Sequence, residues 1–259
     1  MTQPIIEMHN IEKHFGAVIA LSGVSLDVLP GECHCLLGDN GAGKSTFIKT
    51  MSGVHKPTAG EILFEGKPLK SDNPRDAITA GIATVYQDLA MIPLMSVARN
   101  FFMGNEPTKK IAGLSFFDHK YANEVTMKEM KAMGISLRSP EQAVGTLSGG
   151  ERQTVAIARA VHFGAKILIL DEPTSALGVR QTANVLATVE RVRNQGIGIV
   201  FITHNVRHAM AVGDRFTVLN RGQTLGTAKR GEITPEELQD LMAGGQELAK
   251  LEGSLGGTV

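Results

Sequence analysis

The chain has 259 residues, and its 26 Lys and Arg residues balance its 26 Asp and Glu residues, so the formal net charge is zero. This neutrality argues against a protein that holds nucleic acid through a basic surface, and we expect no nucleic-acid partner. No apolar run reaches about 18 residues, and residues 1–4 lack the basic and apolar regions of a secretory signal, so we expect neither a membrane span nor an export signal.

The first part of the chain is predicted to be mostly β-structure. Strands are expected at 5–11, 24–29, 33–37, 61–67 and 81–86, with a turn at 30–32. Cys33 and Cys35 alternate along the third of these strands. Their C-x-C spacing is too tight for an ordinary disulfide and lacks partners for a zinc site, so we expect buried, reduced thiols.

A glycine-rich stretch follows the strand at 33–37 and matches the phosphate-binding pattern G-x-x-x-x-G-K-[ST] at every fixed position. Its glycines let the backbone approach a phosphate, its lysine can reach the β- and γ-phosphates, and its hydroxyl suits Mg²⁺. Residues 45–51 can start a helix, whose N-terminus would face the phosphates. A plain glycine turn is the alternative, but it does not explain the Gly-Lys-Ser end. The residues expected to bind nucleotide here are Gly38, Asp39, Asn40, Gly41, Ala42, Gly43, Lys44, Ser45 and Thr46.

Strand signals fade between residue 88 and about residue 160, where Met, Ala, Lys and Glu are frequent. Residues 121–133 predict a helix, with Gly134 as its stop. We therefore interpret 88–158 as a helical subdomain inserted into an α/β core formed by 1–87 and 159–243. The length of the chain is sufficient for such a core with an insertion.

A second motif, Leu-Ser-Gly-Gly-Glu at 147–151, ends this insertion. Ser148 and Glu151 have the spacing of a capping box, which predicts a helix running through Ala160. A capped helix alone would account for that spacing. Gly149 and Gly150 are costly in a first helical turn, however, and they make sense if the phosphates of a nucleotide approach the backbone there.

Two later apolar runs, at 167–170 and 199–202, end in polar residues. Continuous apolar strands separated by helices predict a parallel sheet covered on both faces, with ligands gathered at the carboxyl ends of its strands. Asp171 could hold Mg²⁺ there, and Glu172 could orient the water that attacks the γ-phosphate and take its proton. An ordinary Asp-Glu pair at a strand end is the alternative. The residues expected at this edge are Gly38, Gln87, Asp171 and His204.

The C-terminal part begins with a predicted hairpin at 216–223. Thr234 and Pro235 then give an N-cap and a first-turn proline, which predict the start of a helix. Residues 244–259 are glycine-rich, and we expect a loosely ordered tail.

Together these motifs resemble the ATP-binding subunits of ABC transporters. The signature at 147–151 is far more specific than a phosphate loop. The order and spacing of the Walker A loop (38–46), Gln87, the Walker B segment (167–172) and His204 match that family from about residue 5 to residue 243. The resemblance implies the P-loop NTPase (RecA-like) α/β fold: a mainly parallel sheet with an N-terminal antiparallel β-subdomain and an inserted α-helical subdomain.

The same resemblance implies a head-to-tail homodimer that sandwiches two ATP molecules, each between the Walker A loop of one copy and Ser148, Gly149 and Gly150 of the other. Mg²⁺ would be held by Ser45, Gln87 and Asp171. Glu172, His204 and Lys44 would be catalytic, and Phe15 would stack on adenine, although a lone Phe is more often a core residue. A strand-end histidine bonded to the backbone is the alternative for His204.

Residues 15–21, 38–43 and 96–104 are similar to the ATPases of monosaccharide importers, most of all the single-domain fructose type. This implies uptake of fructose, or of ribose- or mannose-like sugars, through separate permease subunits contacted near Gln87 and the helical subdomain. A periplasmic sugar-binding protein would act indirectly. The subunit would lie peripherally on the cytoplasmic face of the bacterial inner membrane.

One position departs from the family pattern. Gly178 stands where most members carry an aspartate that helps to couple the two ATP sites, which leaves the communication between sites open. Transport of another solute, export, and a soluble ABC ATPase acting on ribosomes or DNA are the alternatives. The ribosomal type usually has two ATPase domains and a charged linker, and the DNA-repair type has long coiled coils; neither pattern occurs here.

Overall fold

A computed structural model of the protein describes residues 3–69 and 73–244. The strands are β1 (Ile6–Phe15), β2 (Val18–Val28), β3 (Cys33–Leu37), β4 (Ala59–Phe64), β5 (Lys67–Pro68), β6 (Ile82–Val85), β7 (Thr108–Ile111), β8 (Leu114–Phe117), β9 (Ile167–Asp171), β10 (Gly198–Thr203), β11 (Arg215–Asn220) and β12 (Gln223–Lys229). The helices are α1 (Lys44–Met51), α2 (Pro74–Ala80), α3 (Val97–Phe101), α4 (His119–Ala132), α5 (Gly149–His162), α6 (Val179–Arg193), α7 (Val206–Val212) and α8 (Pro235–Met242). The predicted tail lies almost wholly outside the described residues.

The main sheet has the strand order β12-β11-β3-β10-β9-β6, and all its neighbours pair in parallel except β12 with β11. Every residue of β3 and β10 is buried, so both faces of the sheet are covered. Cys35 belongs to one apolar cluster and Leu36 to the other, on opposite faces. The prediction of a parallel sheet covered on both sides is therefore confirmed, and both cysteines are buried and form no disulfide.

A separate antiparallel sheet with the order β2-β1-β4-β5 covers one side of this core. Strand β2 begins at Val18, six residues before the predicted strand at 24–29. The sequence pattern missed this part because Val18 and Ile19 are exposed apolar residues, which break the alternation that a half-buried strand normally shows. Register shifts in the pairing of β1 with β2 break the pattern further.

Residues 88–158 contain α3, α4 and most of α5, and α4 ends where Gly134 takes a φ of +83°. The same range also contains the hairpin β7–β8, which the sequence pattern did not predict and whose two strands have four residues each. Its turn, Ala112–Gly113, has two positive φ angles, as tight hairpins require. The proposed boundary at 158 falls inside α5. None of the helices in the described part of the chain is long and apolar enough to cross a bilayer.

Candidate functional site

The predicted phosphate loop connects β3 to α1. Gly38, Gly41 and Gly43 take φ angles of +147°, +83° and +103°, which side-chain-bearing residues rarely adopt. A Cβ atom on Gly38 would also overlap the carbonyl oxygen of Leu219 at the end of β11. The loop therefore depends on glycine both for its backbone conformation and for its close contact with the neighbouring strand.

Lys44 is buried at the first position of α1, and its Nζ turns back into the loop. It donates hydrogen bonds to the carbonyl oxygens of Gly38 at 2.5 Å and Asp39 at 3.0 Å. Burial lowers the pKa of Lys44, while the nearby carboxylates of Glu172, Asp39 and Asp171 oppose that shift. The ammonium group is thus held inside the curl of the loop and close to the acidic end of β9.

A cleft of about 440 Å³ lies in front of the loop. Besides loop residues it is lined by Val18, Ile19 and Ala20 of β2 and by Arg221. None of these four residues was expected from the sequence. Their placement depends on the turn between β11 and β12, where Gly222 accepts a hydrogen bond from the backbone of Ser22 and donates one to Ala42.

Phe15 is not part of the lining of this cleft. The residue is 44% exposed, and its ring packs edge-on against that of His55, with ring centroids 5.2 Å apart. The Nζ of Lys13 lies 5.0 Å from the centroid of the same ring. The ring is therefore accessible at the end of β1, and its stacking on adenine stays a prediction.

Asp171, Glu172 and His204 meet at the carboxyl ends of β9 and β10, where Asp171 pairs with Ile202. The Nδ1–H of His204 donates a hydrogen bond to Oε1 of Glu172 at 2.8 Å. The histidine side chain is 59% exposed, whereas that of Glu172 is 14% exposed. The backbone of Glu172 has a φ of +48°, an uncommon conformation for a residue with a side chain. This geometry joins a shielded carboxylate to an exposed imidazole.

Asp171 is half-buried beside this pair. Its burial, together with the charge of Glu172, raises the pKa of Asp171, and Lys44 and Lys49 oppose the shift. A cation held against Asp171 would remove much of that electrostatic penalty. A bound cation would therefore stabilise the charged form of Asp171.

Gln87 is exposed just after β6 and lies at the edge of a second cavity, of about 450 Å³. Pro93, Val144 and Arg152 of the inserted subdomain line the same cavity. The structure therefore puts Gln87 at the junction of the core and the insertion, and it does not place it among the residues that line the cleft at the phosphate loop.

Ser148 and Glu151 form the predicted capping box at the start of α5. Ser148 Oγ accepts from the Glu151 N–H at 3.3 Å, and Glu151 Oε2 accepts from the Ser148 N–H at 2.7 Å. A Cβ on Gly149 would lie 2.7 Å from Leu177 Cδ2, and one on Gly150 would lie 3.0 Å from the carbonyl oxygen of Gln181. Packing against the start of α6 is thus a sufficient reason for both glycines, and their contact with nucleotide stays a prediction.

Gly178 behaves differently from the glycines of the phosphate loop. It is the N-cap of α6, with a φ of −70° and no side chain to bond the first turn. A Cβ there would meet no atom within 4 Å. Nothing in the described fold requires glycine at this position.

Comparison with known sequences finds ABC transporter proteins. A family profile described as ABC transporter matches residues 21–175. The chain is 43% identical to the xylose/arabinose import ATP-binding protein XylG of Sulfolobus acidocaldarius, over 92% of this chain and 93% of the relative. It is 41% identical to the fructose import ATP-binding protein FrcA of Rhizobium meliloti, over 95% and 96%. The chain is 39% identical to a ribose import ATP-binding protein of Streptomyces avermitilis, and it spans 47% of the length of that relative.

Solved structures agree with the sequence comparison. The ADP conformation of an ATP-binding cassette of an ABC transporter superposes with a TM-score of 0.81 at 25% identity, covering 96% of this chain and 98% of that one. A dimeric cassette in a post-hydrolysis state, bound to ADP and Pi, gives a TM-score of 0.72 at 25% identity, covering 88% and 100%.

Proposed function

The chain belongs to the ABC transporter family, and on that premise we propose that it is the subunit that binds and hydrolyses ATP to drive uptake of a monosaccharide. The observation that carries the proposal is the hydrogen-bonded pair of Glu172 and His204 at the strand ends. The Glu172 carboxylate lies close enough to Lys44 to stabilise its charged form. The relatives aligned over nearly their whole length are import proteins, one named for xylose/arabinose and one for fructose.

In this proposal the loop amides and the N-terminus of α1 bind the phosphates of ATP. No side chain caps α1, so its first N–H groups stay available to an anion. Lys44 would exchange its two carbonyl acceptors for phosphate oxygens. Glu172 would orient the attacking water and accept its proton, and exposed His204 would contact the γ-phosphate.

Mg²⁺ fits the donor set at this edge. The Asp171 carboxylate and the Ser45 hydroxyl are hard oxygen ligands, and Mg²⁺ usually takes one or two carboxylates together with substrate phosphates. Such a site needs no cluster of three or more acidic, His or Cys side chains, and the described residues contain none. When bound, the ion would neutralise charge on the β- and γ-phosphate oxygens. Gln87 would bind the ion or its water from the junction of the two subdomains.

A second copy of the chain would complete each site. The residues that line the cleft come from β2, the loop and Arg221, and Ser148, Gly149 and Gly150 are not among them. The N-terminus of α5 would therefore reach ATP from the partner in a head-to-tail dimer. The likeness to a dimeric cassette supports this arrangement.

The permease would contact the junction near Gln87 and the inserted subdomain, and the subunit would lie peripherally on the cytoplasmic face of the inner membrane. A groove of about 330 Å³ between β6 and α5, lined in part by Tyr86, Leu89 and Phe163, opens at this junction. In this proposal, the permease and its binding protein recognise the sugar. Fructose is the first sugar to test, since the fructose relative aligns over 95% of this chain.

The Glu172→Gln variant tests the catalytic proposal. It should bind ATP, form the dimer and hydrolyse at least about 100-fold more slowly, because the amide cannot accept the proton of water. Phosphate release and size-exclusion chromatography with ATP measure the two properties, and Glu236→Gln on the exposed start of α8 serves as the matched control. Turnover at the wild-type rate in Glu172→Gln would rule out this role. Stimulation of ATP hydrolysis by fructose in the reconstituted complex tests the sugar.

A further inference from the structure

His208 lies on α7, one turn after His204, and has no role in the sequence motifs. Asn205 caps this helix, and its Oδ1 accepts a hydrogen bond from the His208 backbone N–H at 3.2 Å. The Asn205 backbone N–H in turn donates to Thr203 Oγ1 at 3.0 Å. The residue that follows His204 is thus held at both its backbone and its side chain.

The imidazole of His208 makes two hydrogen bonds whose directions can be worked out. Asn205 uses its oxygen for the helix cap, so its Nδ2 faces His208 Nε2, 3.4 Å away. An amide nitrogen can only donate, and Nε2 must therefore accept. The ring proton then sits on Nδ1, which donates to Thr174 Oγ1 at 2.9 Å. Burial, and next His204, lower the pKa of His208, while Glu172 opposes the shift; the direction agrees with the neutral ring that the hydrogen bonds require.

Thr174 belongs to the turn that follows Glu172 and is only 3% exposed. In that turn, Ser175 donates to the carbonyl oxygen of Glu172 from its backbone N–H at 3.1 Å and from its hydroxyl at 2.9 Å. His208 consequently bridges the segment after Glu172 and the segment after His204. These are the two segments whose separation would pull the Glu172–His204 pair apart.

We propose that His208 is a positioning residue: its imidazole ties the turn at Thr174 to the helix cap at Asn205 and so holds Glu172 and His204 in one geometry. This inference rests on the proposed ATPase function. The contrasting explanation is that the ring only fills space at the base of α7. The two explanations differ in what happens when the ring shape is kept and its hydrogen bonds are removed.

The central experiment measures kcat and KM for ATP in His208→Phe, which keeps a planar ring and loses both bonds. We expect kcat to fall about tenfold, the equivalent of one or two hydrogen bonds. KM should stay within about twofold, because His208 has no place in the nucleotide cleft. His208→Gln retains one donor and one acceptor and should recover part of kcat.

Thr174→Val is a second variant that removes the hydroxyl with little change in shape, and it should reduce kcat by a similar factor. The double variant His208→Phe/Thr174→Val should be no slower than either single variant, because both interrupt the same link. His162→Phe is the matched control. His162 is a half-buried histidine at the C-terminal end of α5 that packs beside Phe101 and Phe102, and its loss should leave kcat unchanged.

Wild-type kcat in His208→Phe or Thr174→Val would overturn the inference, and so would two independent losses that multiply in the double variant. A loss that follows only the melting temperature, with no recovery in His208→Gln, would also overturn it. If Glu172→Gln hydrolyses ATP at the wild-type rate, the proposed function has failed instead. Active wild type, inactive Glu172→Gln and unaffected His208 variants would refute the positioning role alone.

Discussion

The starts of α1 and α5 are both rich in glycine, but they need it for different reasons. At α1 the glycines have positive φ angles and the helix has no side-chain cap, so its amides are left for an anion. At α5 the first turn has helical geometry and a complete capping box, and the glycines lie close to Leu177 and Gln181. Similar sequence features thus reflect backbone conformation in one region and helix packing in the other.

The largest expected effect comes from the charged residue of the first region. Lys44→Ala should weaken ATP binding by at least about 100-fold, since charge-assisted hydrogen bonds each contribute about 1.5–3 kcal/mol. Isothermal titration with ATP measures this. Lys49→Ala, an exposed lysine on the same helix, is the control and should retain nearly full affinity. Equal affinities in the two variants would mean that the loop does not hold the phosphates.

Gly38→Ala and Gly41→Ala separate conformation from contact within the loop. Both residues have positive φ, but a Cβ on Gly38 meets the Leu219 carbonyl, whereas a Cβ on Gly41 meets nothing within 4 Å. We expect Gly38→Ala to lower the free energy of unfolding by about 3 kcal/mol and Gly41→Ala by about 1 kcal/mol. Urea denaturation gives both values, and a larger loss for Gly41→Ala would contradict the assignment.

Gly150→Ala and Gly149→Ala make the corresponding test at α5. The Gly150 position faces a backbone carbonyl, which cannot move aside, so overpacking should outweigh the gain in helix propensity and cost about 1 kcal/mol of unfolding free energy. The Gly149 position faces the end of a leucine side chain, which can rotate, and the change should be close to neutral. If both variants are more stable than wild type, packing is not the reason for these glycines.

Gly178→Asp should have a small effect of the opposite sign. The position has space and an ordinary φ, and an aspartate would cap α6. The expected gain in unfolding free energy is a few tenths of a kcal/mol, about the known difference between glycine and aspartate at an N-cap. Thermal unfolding measures it, with Gly178→Ala as a control that adds a side chain without a cap. ATP binding should not change in either variant.

Several parts of the fold and site could be predicted from local pattern. The loop at Gly38–Thr46, the capping box at Ser148 and the buried strands β3, β9 and β10 each depend on short-range spacing or on an unbroken apolar run. The hairpin β7–β8 was not predicted because its strands are short and mostly exposed. The four cleft residues outside the loop were not predicted because they reach the cleft from distant parts of the chain.

The sequence alone determined that the chain carries a glycine-rich loop with the phosphate-binding pattern, a strand ending in two carboxylates and a capped helix at 149–162, because each pattern lies within a few consecutive residues. Only the tertiary structure decided which residues stand opposite one another. The parallel pairing of β9 with β10 brings Glu172 to His204, and His208 reaches Thr174 across 34 positions. Contact of Gly150 with α6 likewise comes from helix packing. Such contacts depend on the register of strands and the approach of helices, which no local spacing encodes.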